Sequence, residues 1–189
     1  MRKHLVTGSN KGIGLATVKA LCEAVGSESI VYLTARSVER GTKAVEDLAK
    51  SGLKPRFHPL DVDDASSIET FATFLKKEHG GLDVLVNNAA IAYKNSAYGA
   101  SKVGVSALTR IQQRMLDQDP RDDIVVNHCH PGYVDTDMTS HRGVLTVEQG
   151  AVCPTYLALL PPNVSSPRGE YLWYDKQVVD WVDASLPPP

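Results

Sequence analysis

The sequence predicts an α/β protein built on a parallel sheet that helices cover on both faces. Apolar, β-rich runs alternate with helical patterns along most of the 189 residues. The predicted strands are nearly continuous apolar runs, which is typical of strands buried on both faces. The chain is 42% hydrophobic and 22% charged. At this length folding buries roughly 70% of the unfolded chain's surface, so a core can form without disulfides or metals.

The first half of the chain supplies four strands with a helix after each of the first three. The first strand runs into a glycine-rich turn, and apolar residues recur on one face of the helix that follows. Asp64 is predicted to cap the third helix, because an aspartate side chain accepts hydrogen bonds from free N–H groups at a helix start. The predicted strands are 3–8, 29–36, 55–62 and 82–88, and the predicted helices are 14–26, 38–50 and 65–79.

The second half continues the alternation. Its predicted elements are helix 96–116, strand 123–132, helix 146–160 and strand 169–175. Pro154 is unfavourable near the middle of its helix, because proline lacks the N–H group and crowds the preceding turn. We expect a single domain over residues 1–182, followed by a proline-ended tail over 183–189.

The composition gives no reason to expect a nucleic acid or a membrane as a partner. The formal net charge is −2, and no apolar run reaches the ~20 residues that span a bilayer. Cys22, Cys129 and Cys153 are widely spaced, which favours reduced thiols and a cytoplasmic protein over a disulfide framework. His128 and His130 flank Cys129 without the spacing of a metal site, so no metal is predicted.

The glycine-rich turn is the first candidate site, because ligands of parallel α/β sheets bind beyond the carboxyl ends of the strands. The segment VTGSNKGIG places Gly8, Gly12 and Gly14 between the first strand and the first helix. Glycines let the backbone approach a pyrophosphate, while free N–H groups and the helix dipole attract its charge. This predicts a dinucleotide site, and a glycine-rich turn without a ligand is the alternative.

Basic residues after the second strand favour NADP over NAD. An acidic residue at this position would hydrogen-bond the ribose 2′-hydroxyl, but the chain has Arg36 and Arg40, with Lys11 in the glycine turn. A guanidinium suits a phosphate, and a cation at a helix start is otherwise unfavourable. Solvated basic side chains are the alternative interpretation.

Two further strand ends carry polar residues. Asp61 and Val62 could hold an adenine ring, although Asp61 could equally be a turn residue. Asn87 and Asn88 follow the fourth strand, where one of them could contact a cofactor or simply satisfy loop backbone. The residues leave both questions open.

Tyr98 and Lys102 are separated by four positions, so they share one face of the predicted helix. A nearby ammonium favours the ionised form of a phenol, which makes such a tyrosine usable as a general acid. A solvated surface pair is the usual explanation of this spacing, but the position at a helix start on the ligand-binding edge favours catalysis.

Four motifs in this order resemble the short-chain dehydrogenase/reductase family, and longer runs are similar to the NADPH-dependent carbonyl reductases of animals. The motifs are T-G-x-x-x-G-x-G over Thr7–Gly14, N-N-A over Asn87–Ala89, Y-x-x-x-K over Tyr98–Lys102, and P-G-x-V-x-T over Pro131–Thr136. The resemblance implies a Rossmann-like, doubly wound sheet that binds NADPH.

The resemblance also implies a role for each matching residue. Tyr98 would protonate the substrate oxygen as hydride arrives, and Lys102 would bind the nicotinamide ribose and tune Tyr98. The other implied residues would contact NADPH: Gly8, Asn10, Lys11, Gly12, Ile13 and Gly14 at the pyrophosphate, Arg36 and Arg40 at the 2′-phosphate, Asp61 and Val62 at the adenine, Asn88 near the ribose, and Pro131, Gly132, Val134 and Thr136 at the nicotinamide carboxamide.

The family pattern is interrupted between residues 90 and 97. In the family, a helix and a strand ending in the catalytic serine separate N-N-A from Y-x-x-x-K, but here only Ile91 to Ala97 remain. This stretch is too short for a crossover helix and a strand, so the fold is predicted to lack about one of each. Ser96 would point to a different helix face from Tyr98. By analogy with oxyanion donors, loss of the serine costs ~10²–10³ in rate.

The shortened sheet can close in two ways. Strand 82–88, the Tyr98 helix and the strand at Ile124 can form one βαβ unit. Alternatively a hole exposes strand edges and apolar helix faces, which would favour dimers or aggregates where the full-length family pattern is monomeric.

The leading prediction is an NADPH-dependent carbonyl reductase that acts on ketones, aldehydes or quinones. The rival is a catalytically inactive truncated isoform that binds NADPH or a protein partner, and an incomplete gene model is a third possibility. Tyr93 and Trp173 are candidates for bordering a hydrophobic substrate pocket, although aromatic residues at such positions are at least as often core.

Overall fold

The computed structural model describes residues 1–91, 97–121 and 123–180. The chain divides into two compact units, Met1–Ala90 and Ile91–Pro189. The first unit contains strands β1 (Arg2–Val6), β2 (Ser29–Ala35), β3 (Arg56–Pro59) and β4 (Val84–Val86) and helices α1 (Gly12–Val25), α2 (Val38–Lys50) and α3 (Ala65–His79). The second contains helices α4 (Ala97–Leu116) and α5 (Val147–Ala158) and strands β5 (His128–Cys129) and β6 (Tyr171–Leu172).

The four strands of the first unit form a parallel sheet in the order β3-β2-β1-β4. In its register Leu5 lies opposite Tyr32, and Val6 lies between Leu33 and Val86. The connections through α1 and α2 add β2 and then β3 on the same side of β1. The connection through α3 runs in the opposite direction, because it places β4 on the other side of β1. Right-handed crossovers therefore place α1 and α2 on one face and α3 on the other. The predicted parallel sheet with helices on both faces is confirmed.

The core beneath α3 is a cluster of apolar and aromatic side chains. Its buried members are Leu5, Tyr32, Leu60, Phe71 and Leu75. The ring of Tyr32 meets that of Phe71 edge-on at 5.7 Å, and its hydroxyl hydrogen-bonds to His79 Nε2 at 2.8 Å. The polar end of this buried tyrosine therefore has a partner, as burial requires.

The opposite face of the sheet brings α2 against β3. An added Cβ at Gly41 would lie 2.0 Å from a ring carbon of Phe57, so only glycine permits this close approach. Phe57 lies opposite Leu33 in the sheet. Leu33 and the α1 residues Val18 and Leu21 are fully buried, which places them in the core.

Helix ends in the first unit follow capping chemistry. The Asp64 carboxylate accepts a hydrogen bond from the Ser66 N–H at 2.9 Å, so the predicted cap is confirmed. The predicted bounds 38–50 and 65–79 of α2 and α3 are also confirmed. Helix α1 begins at Gly12, two residues before the predicted start, because the end of the glycine turn is already helical.

The prediction of a strand over 123–132 is wrong for most of its length, since β5 comprises only His128 and Cys129. The buried side chain of Gln113 in α4 takes the backbone groups that a strand partner would use. Its Oε1 accepts from the Val126 N–H at 2.7 Å, and its Nε2 donates to the Ile124 carbonyl at 3.3 Å. The apolar run at 123–132 does not by itself indicate that a glutamine side chain binds its backbone groups.

Other elements of the second unit are shorter than predicted. Helix α5 spans Val147–Ala158 with Pro154 inside it, and β6 spans only Tyr171–Leu172. The predicted start of the preceding helix at Ser96 and the tail over 183–189 lie outside the described residues. The domain boundary at residue 182 therefore stays a prediction.

Within the described residues each unit has its own sheet. Strand β4 pairs with β1, and β5 pairs with β6 in a separate two-stranded parallel ladder. Leu85 of β4 is 51% exposed, as expected at a sheet edge. Five large apolar side chains of α4 are also exposed, namely Val103, Val105, Leu108, Ile111 and Met115. None of the helices within the described ranges is both long and apolar enough to cross a membrane.

Truncating Gln113 to alanine should destabilise the protein, because the backbone groups of Ile124 and Val126 would lose their partner. We expect a decrease of about 2–3 kcal/mol in the free energy of unfolding, measured by urea denaturation. Gln112→Ala is the matched control, since Gln112 is exposed on the same helix. Its effect should stay within about 0.5 kcal/mol. Equal losses in the two variants would contradict this role of Gln113.

Candidate active site

Reciprocal hydrogen bonds join the end of β1 to the segment that follows β4. The Thr7 hydroxyl accepts from the backbone N–H groups of Asn88 and Ala89, both at 3.0 Å. The Asn88 amide in turn donates to the carbonyls of Thr7 at 2.9 Å and Gly8 at 3.1 Å. Asn88 therefore satisfies loop backbone, one of the two roles that the sequence left open. Its cofactor contact stays a prediction.

A buried serine ties the same turn to β2. Ser9 is fully buried, and its hydroxyl donates to the Val6 carbonyl at 2.8 Å and accepts from the Thr34 N–H at 3.0 Å. The Thr34 hydroxyl donates to the same Val6 carbonyl at 3.0 Å. Three neighbouring strands, β2, β1 and β4, thus fix the glycine turn at their carboxyl ends.

The glycines of the turn are required by space and by backbone conformation. Gly8 has φ +59°, and an added Cβ would lie 2.9 Å from Ala89. An added Cβ at Gly14 would lie 2.4 Å from Asn88 Nδ2 and would displace that amide. The turn can pack this closely against the Asn88 segment only because both positions lack a side chain.

The start of α1 is suited to an anion. The first N–H groups of a helix have no partner within the helix, and the dipole is positive at this end. The described first turn of α1 contains no acidic side chain. This combination of a glycine cradle and an open helix start fits the pyrophosphate of a dinucleotide.

The predicted 2′-phosphate residues follow β2. Arg36 is the first residue after the strand, and Arg40 lies in the first turn of α2; both are exposed. The helix start itself is capped by Ser37, whose hydroxyl accepts from the Arg40 N–H at 3.3 Å. Both guanidinium groups are thus carried at the end of β2 by a well-formed strand-to-helix turn.

Asp61 acts as a turn residue in this structure. Its carboxylate accepts from the Asp63 N–H at 3.1 Å, and its own N–H donates to the Ser67 hydroxyl at 3.0 Å. Val62 is exposed beside it. The turn interpretation is therefore confirmed, and the adenine contacts of Asp61 and Val62 stay predictions.

In the second unit, Tyr98 and Lys102 share one face of α4 as predicted. The Lys102 ammonium lies over the Tyr98 ring, 5.2 Å from its centroid. The Tyr98 hydroxyl donates to the Met138 thioether at 3.9 Å. A thioether is a weak acceptor, so a carbonyl oxygen can replace it. Sequence reasoning missed Met138, because no local pattern links residues so far apart in the chain.

The predicted carboxamide segment forms a tight loop after β5. Gly132 has φ +84°, and an added Cβ would lie 2.2 Å from the side chain of Leu145. Its N–H donates to His130 Nδ1 at 3.0 Å. The Val134 side chain is buried, so any ligand contact from it would use the backbone. Thr136 exchanges capping hydrogen bonds with Thr139.

Aromatic stacking supports this loop from within the second unit. The ring of His130 stacks on Trp173 with centroids 4.4 Å apart. Trp173 is only 4% exposed, which favours the core interpretation over the pocket interpretation. Tyr93, the other pocket candidate, lies outside the described residues. Among the described residues, no three His, Cys, Asp or Glu side chains form a group suited to a metal.

The structure therefore gathers predicted residues into one group within each unit. In the first unit, Gly8, Gly14 and Asn88 are in direct contact at the strand ends. In the second unit, Tyr98 and Lys102 form a pair. Thr7, Ser9 and Met138 are the additions that the structure makes to the predicted set. The sequence did contain a signal for Thr7 and Ser9. Both are hydroxyl residues that closely follow a buried strand, where they could bind the backbone of neighbouring strand ends.

The short chain dehydrogenase family model matches residues 2–96 and 92–143. The chain belongs to the short-chain dehydrogenase/reductase family. Among its relatives, carbonyl reductase [NADPH] 3 of Homo sapiens is 35% identical over 275 residues, covering 95% of this chain and 98% of that protein. Carbonyl reductase [NADPH] 1 of Pongo abelii is 34% identical over 276 residues, covering 96% and 99%.

A solved structure supports the fold. Salutaridine reductase from Papaver somniferum superposes with a TM-score of 0.79 at 22% sequence identity, covering 93% of this chain and 100% of that chain. The identity is low, so this likeness concerns the fold alone.

The comparisons also show a difference in length between this chain and its relatives. Because 95% of this 189-residue chain is about 180 residues, about 95 of the 275 aligned positions of the human relative have no counterpart here. The two matches to the family model meet at residues 92–96. This agrees with the predicted interruption between residues 90 and 97.

Charge around the carboxamide segment gives a pH-dependent prediction. The Asp135 carboxylate, 2.7 Å from His141 Nδ1, raises the pKa of His141, and Asp137 adds to the effect. We expect NMR titration to place the pKa of His141 above 6.5, and Asp135→Asn to lower it. The ion pair of His141 with Asp135 contributes its full stabilisation below the ordinary pKa of histidine. This contribution is lost as the pH rises through the higher pKa of His141 in the folded protein.

His128 is the internal reference for this titration. Burial, and then the charge of Arg110, lower the pKa of His128 to about 4. Its resonance should therefore titrate well below that of His141 and should not respond to Asp135→Asn. A His141 pKa at or below 6.5 would contradict the role given to Asp135 and Asp137.

Proposed function

We propose that this chain is an NADPH-dependent oxidoreductase that reduces small carbonyl compounds, namely ketones, aldehydes or quinones. The observation that carries the proposal is the glycine turn before α1, which the Thr7–Asn88 hydrogen bonds join to the segment after β4. The kinship with carbonyl reductases [NADPH] supports both the cofactor and the reaction.

The residues of the first unit would bind the dinucleotide along the strand ends. The turn Gly8–Gly14 would take the pyrophosphate, and Arg36 and Arg40 would take the 2′-phosphate by charge-assisted hydrogen bonds. Asp61 and Val62 would lie at the adenine. The close packing of Gly8 and Gly14 against the Asn88 segment, and the start of α1 without a side-chain cap, support this assignment.

The residues of the second unit would serve the reaction. Bound NADPH supplies a hydride to the carbonyl carbon. The Tyr98 hydroxyl would replace its Met138 contact with the substrate oxygen and donate its proton there. Lys102, whose ammonium lies over the Tyr98 ring, would bind the nicotinamide ribose. Pro131, Gly132, Val134 and Thr136 would border the carboxamide.

A second function, NADPH binding without catalysis, has its own support. About 95 aligned positions of the human relative have no counterpart in this chain, and we place this gap between the two motif groups, where the matches to the family model meet at residues 92–96. In the family this region carries the catalytic serine, which polarises the substrate carbonyl. The nucleotide residues all lie outside it, so binding can persist where turnover is weak or lost.

The cysteines and the exposed apolar side chains also bear on the cellular location and the assembly of the protein. A cytoplasmic location fits the widely spaced cysteines, because reducing compartments keep such thiols free. The exposed apolar side chains of α4 and the edge strand β4 favour self-association over the monomer of the full-length family pattern.

Turnover of purified protein tests the proposal. With a small quinone and NADPH, we expect slow loss of NADPH absorbance, ~10²–10³ below the rate of a complete family member. Tyr98→Phe should reduce it to background. Tyr156→Phe is the matched control. The ring of Tyr156, in α5, also lies under a lysine ammonium, because the Lys176 nitrogen is 5.5 Å from the centroid of that ring. This variant should retain the full rate.

Two other results would separate the candidate functions. NADPH-induced thermal stabilisation without turnover would favour the non-catalytic binder. The absence of both binding and turnover would reject both functions. Undiminished turnover in Tyr98→Phe would reject the role of Tyr98 as the acid.

A further inference from the structure

The contact between Tyr98 and Met138 joins a phenol to an oxidisable sulfur within the second unit. The Tyr98 O–H donates to the Met138 sulfur at 3.9 Å, and this contact is exposed to solvent. Met138 belongs to a short helical turn, Asp137–Thr139. A thioether sulfur is a weak acceptor, so the contact holds the hydroxyl only loosely in the reduced protein.

Hydrogen bonds around this turn fix the backbone that carries Met138. The Thr139 hydroxyl donates to the Val134 carbonyl at 2.8 Å and accepts from the Thr136 N–H at 3.1 Å. The Val134 side chain is buried, so the turn is tied to the core of the second unit. A polar atom added to the Met138 sulfur would therefore stay beside Tyr98.

The exposure of Met138 gives small oxidants access to its sulfur. The chain has three methionines, and all of them are exposed, with Met138 at 46%, Met115 at 67% and Met1 at 75%. Peroxides convert exposed methionine into methionine sulfoxide, which turns an apolar side chain into a polar one. The sulfoxide oxygen accepts hydrogen bonds much more strongly than a thioether does, so oxidation at Met138 changes what Tyr98 faces.

We propose that Met138 is an oxidation site whose sulfoxide captures the Tyr98 hydroxyl. A lone pair of the Met138 sulfur attacks hydrogen peroxide, a sulfur–oxygen bond forms, the oxygen–oxygen bond breaks, and the second oxygen leaves as water after proton transfer. The sulfur is oxidised by two electrons, and one thioether and one peroxide give one sulfoxide and one water. The new oxygen extends from the sulfur by one bond, so it can come within the roughly 2.5–3.0 Å range of an O–H···O bond from Tyr98.

The consequence of this capture for turnover rests on the proposed function. A Tyr98 hydroxyl that is bound to a sulfoxide oxygen is less available to a substrate oxygen. The difference is about one ordinary hydrogen bond, so we expect turnover to fall about tenfold. Methionine sulfoxide reductases restore the thioether, and the rate should return with it. The oxidation itself needs no carbonyl reduction.

Peptide mapping and NMR of the full chain test the proposal directly. Protein with isotope-labelled tyrosine rings is treated with hydrogen peroxide under native conditions, and dithiothreitol then reverses any thiol oxidation. Trypsin places Met138 in peptide 122–142, and fragmentation mass spectra locate the added oxygen. We expect one added oxygen on Met138 and a shift of the Tyr98 Cζ resonance, assigned with Tyr98→Phe. Methionine sulfoxide reductase should reverse both changes.

Two methionine variants separate this effect from general oxidation. Met115→Leu should keep the peroxide-induced shift of the Tyr98 resonance, because Met115 lies about 25 Å along α4 from Tyr98. Met138→Leu should lose the shift, because leucine offers no sulfur to oxidise.

Three results would overturn the proposal. They are a Met138 that peroxide does not oxidise, an oxidised Met138 with an unmoved Tyr98 resonance, and an equal shift in Met138→Leu. The first two are read on the wild-type protein, so they do not require any variant to fold. None of the three requires turnover, so a failure of the proposed function would be seen separately.

Discussion

The predicted nucleotide site depends on the exchange of hydrogen bonds between Thr7 and Asn88. A threonine hydroxyl and an asparagine amide each satisfy backbone groups of the other's segment, at distances of 2.9–3.1 Å. The pair joins the carboxyl ends of β1 and β4, and it holds the glycine turn so close that no Cβ fits at Gly8 or Gly14. The start of α1, which follows this turn, has no side-chain cap and therefore suits an anion.

Much of the first unit could be predicted from sequence because its signals are local. Apolar strand runs, the Asp64 cap and the glycine turn each determine nearby structure, and the bounds of α2 and α3 followed directly. The motif resemblance supplied the family, which the comparisons establish. The Asn88 amide was ambiguous, because its partners Thr7 and Gly8 lie about eighty residues away in the chain.

The second unit shows where local signals fail. The apolar run at 123–132 indicated a strand, but the long-range hydrogen bonds of Gln113 use its backbone groups. Likewise, the contact of Tyr98 with Met138 joins residues from different elements. No periodicity records such contacts. The two matches to the family model meet at residues 92–96, between the Asn88 segment and Tyr98.

The most direct measurement is the affinity of the protein for NADPH and NADH, determined by calorimetric titration for the wild type and two arginine variants. We expect the wild type to bind NADPH more tightly than NADH, and Arg36→Ala to lose about 10-fold or more in NADPH affinity alone. Arg56→Ala should change neither affinity, because Arg56 is exposed at the start of β3, away from the carboxyl ends of the strands. Equal wild-type affinity for the two dinucleotides, or equal losses in the two variants, would contradict the account.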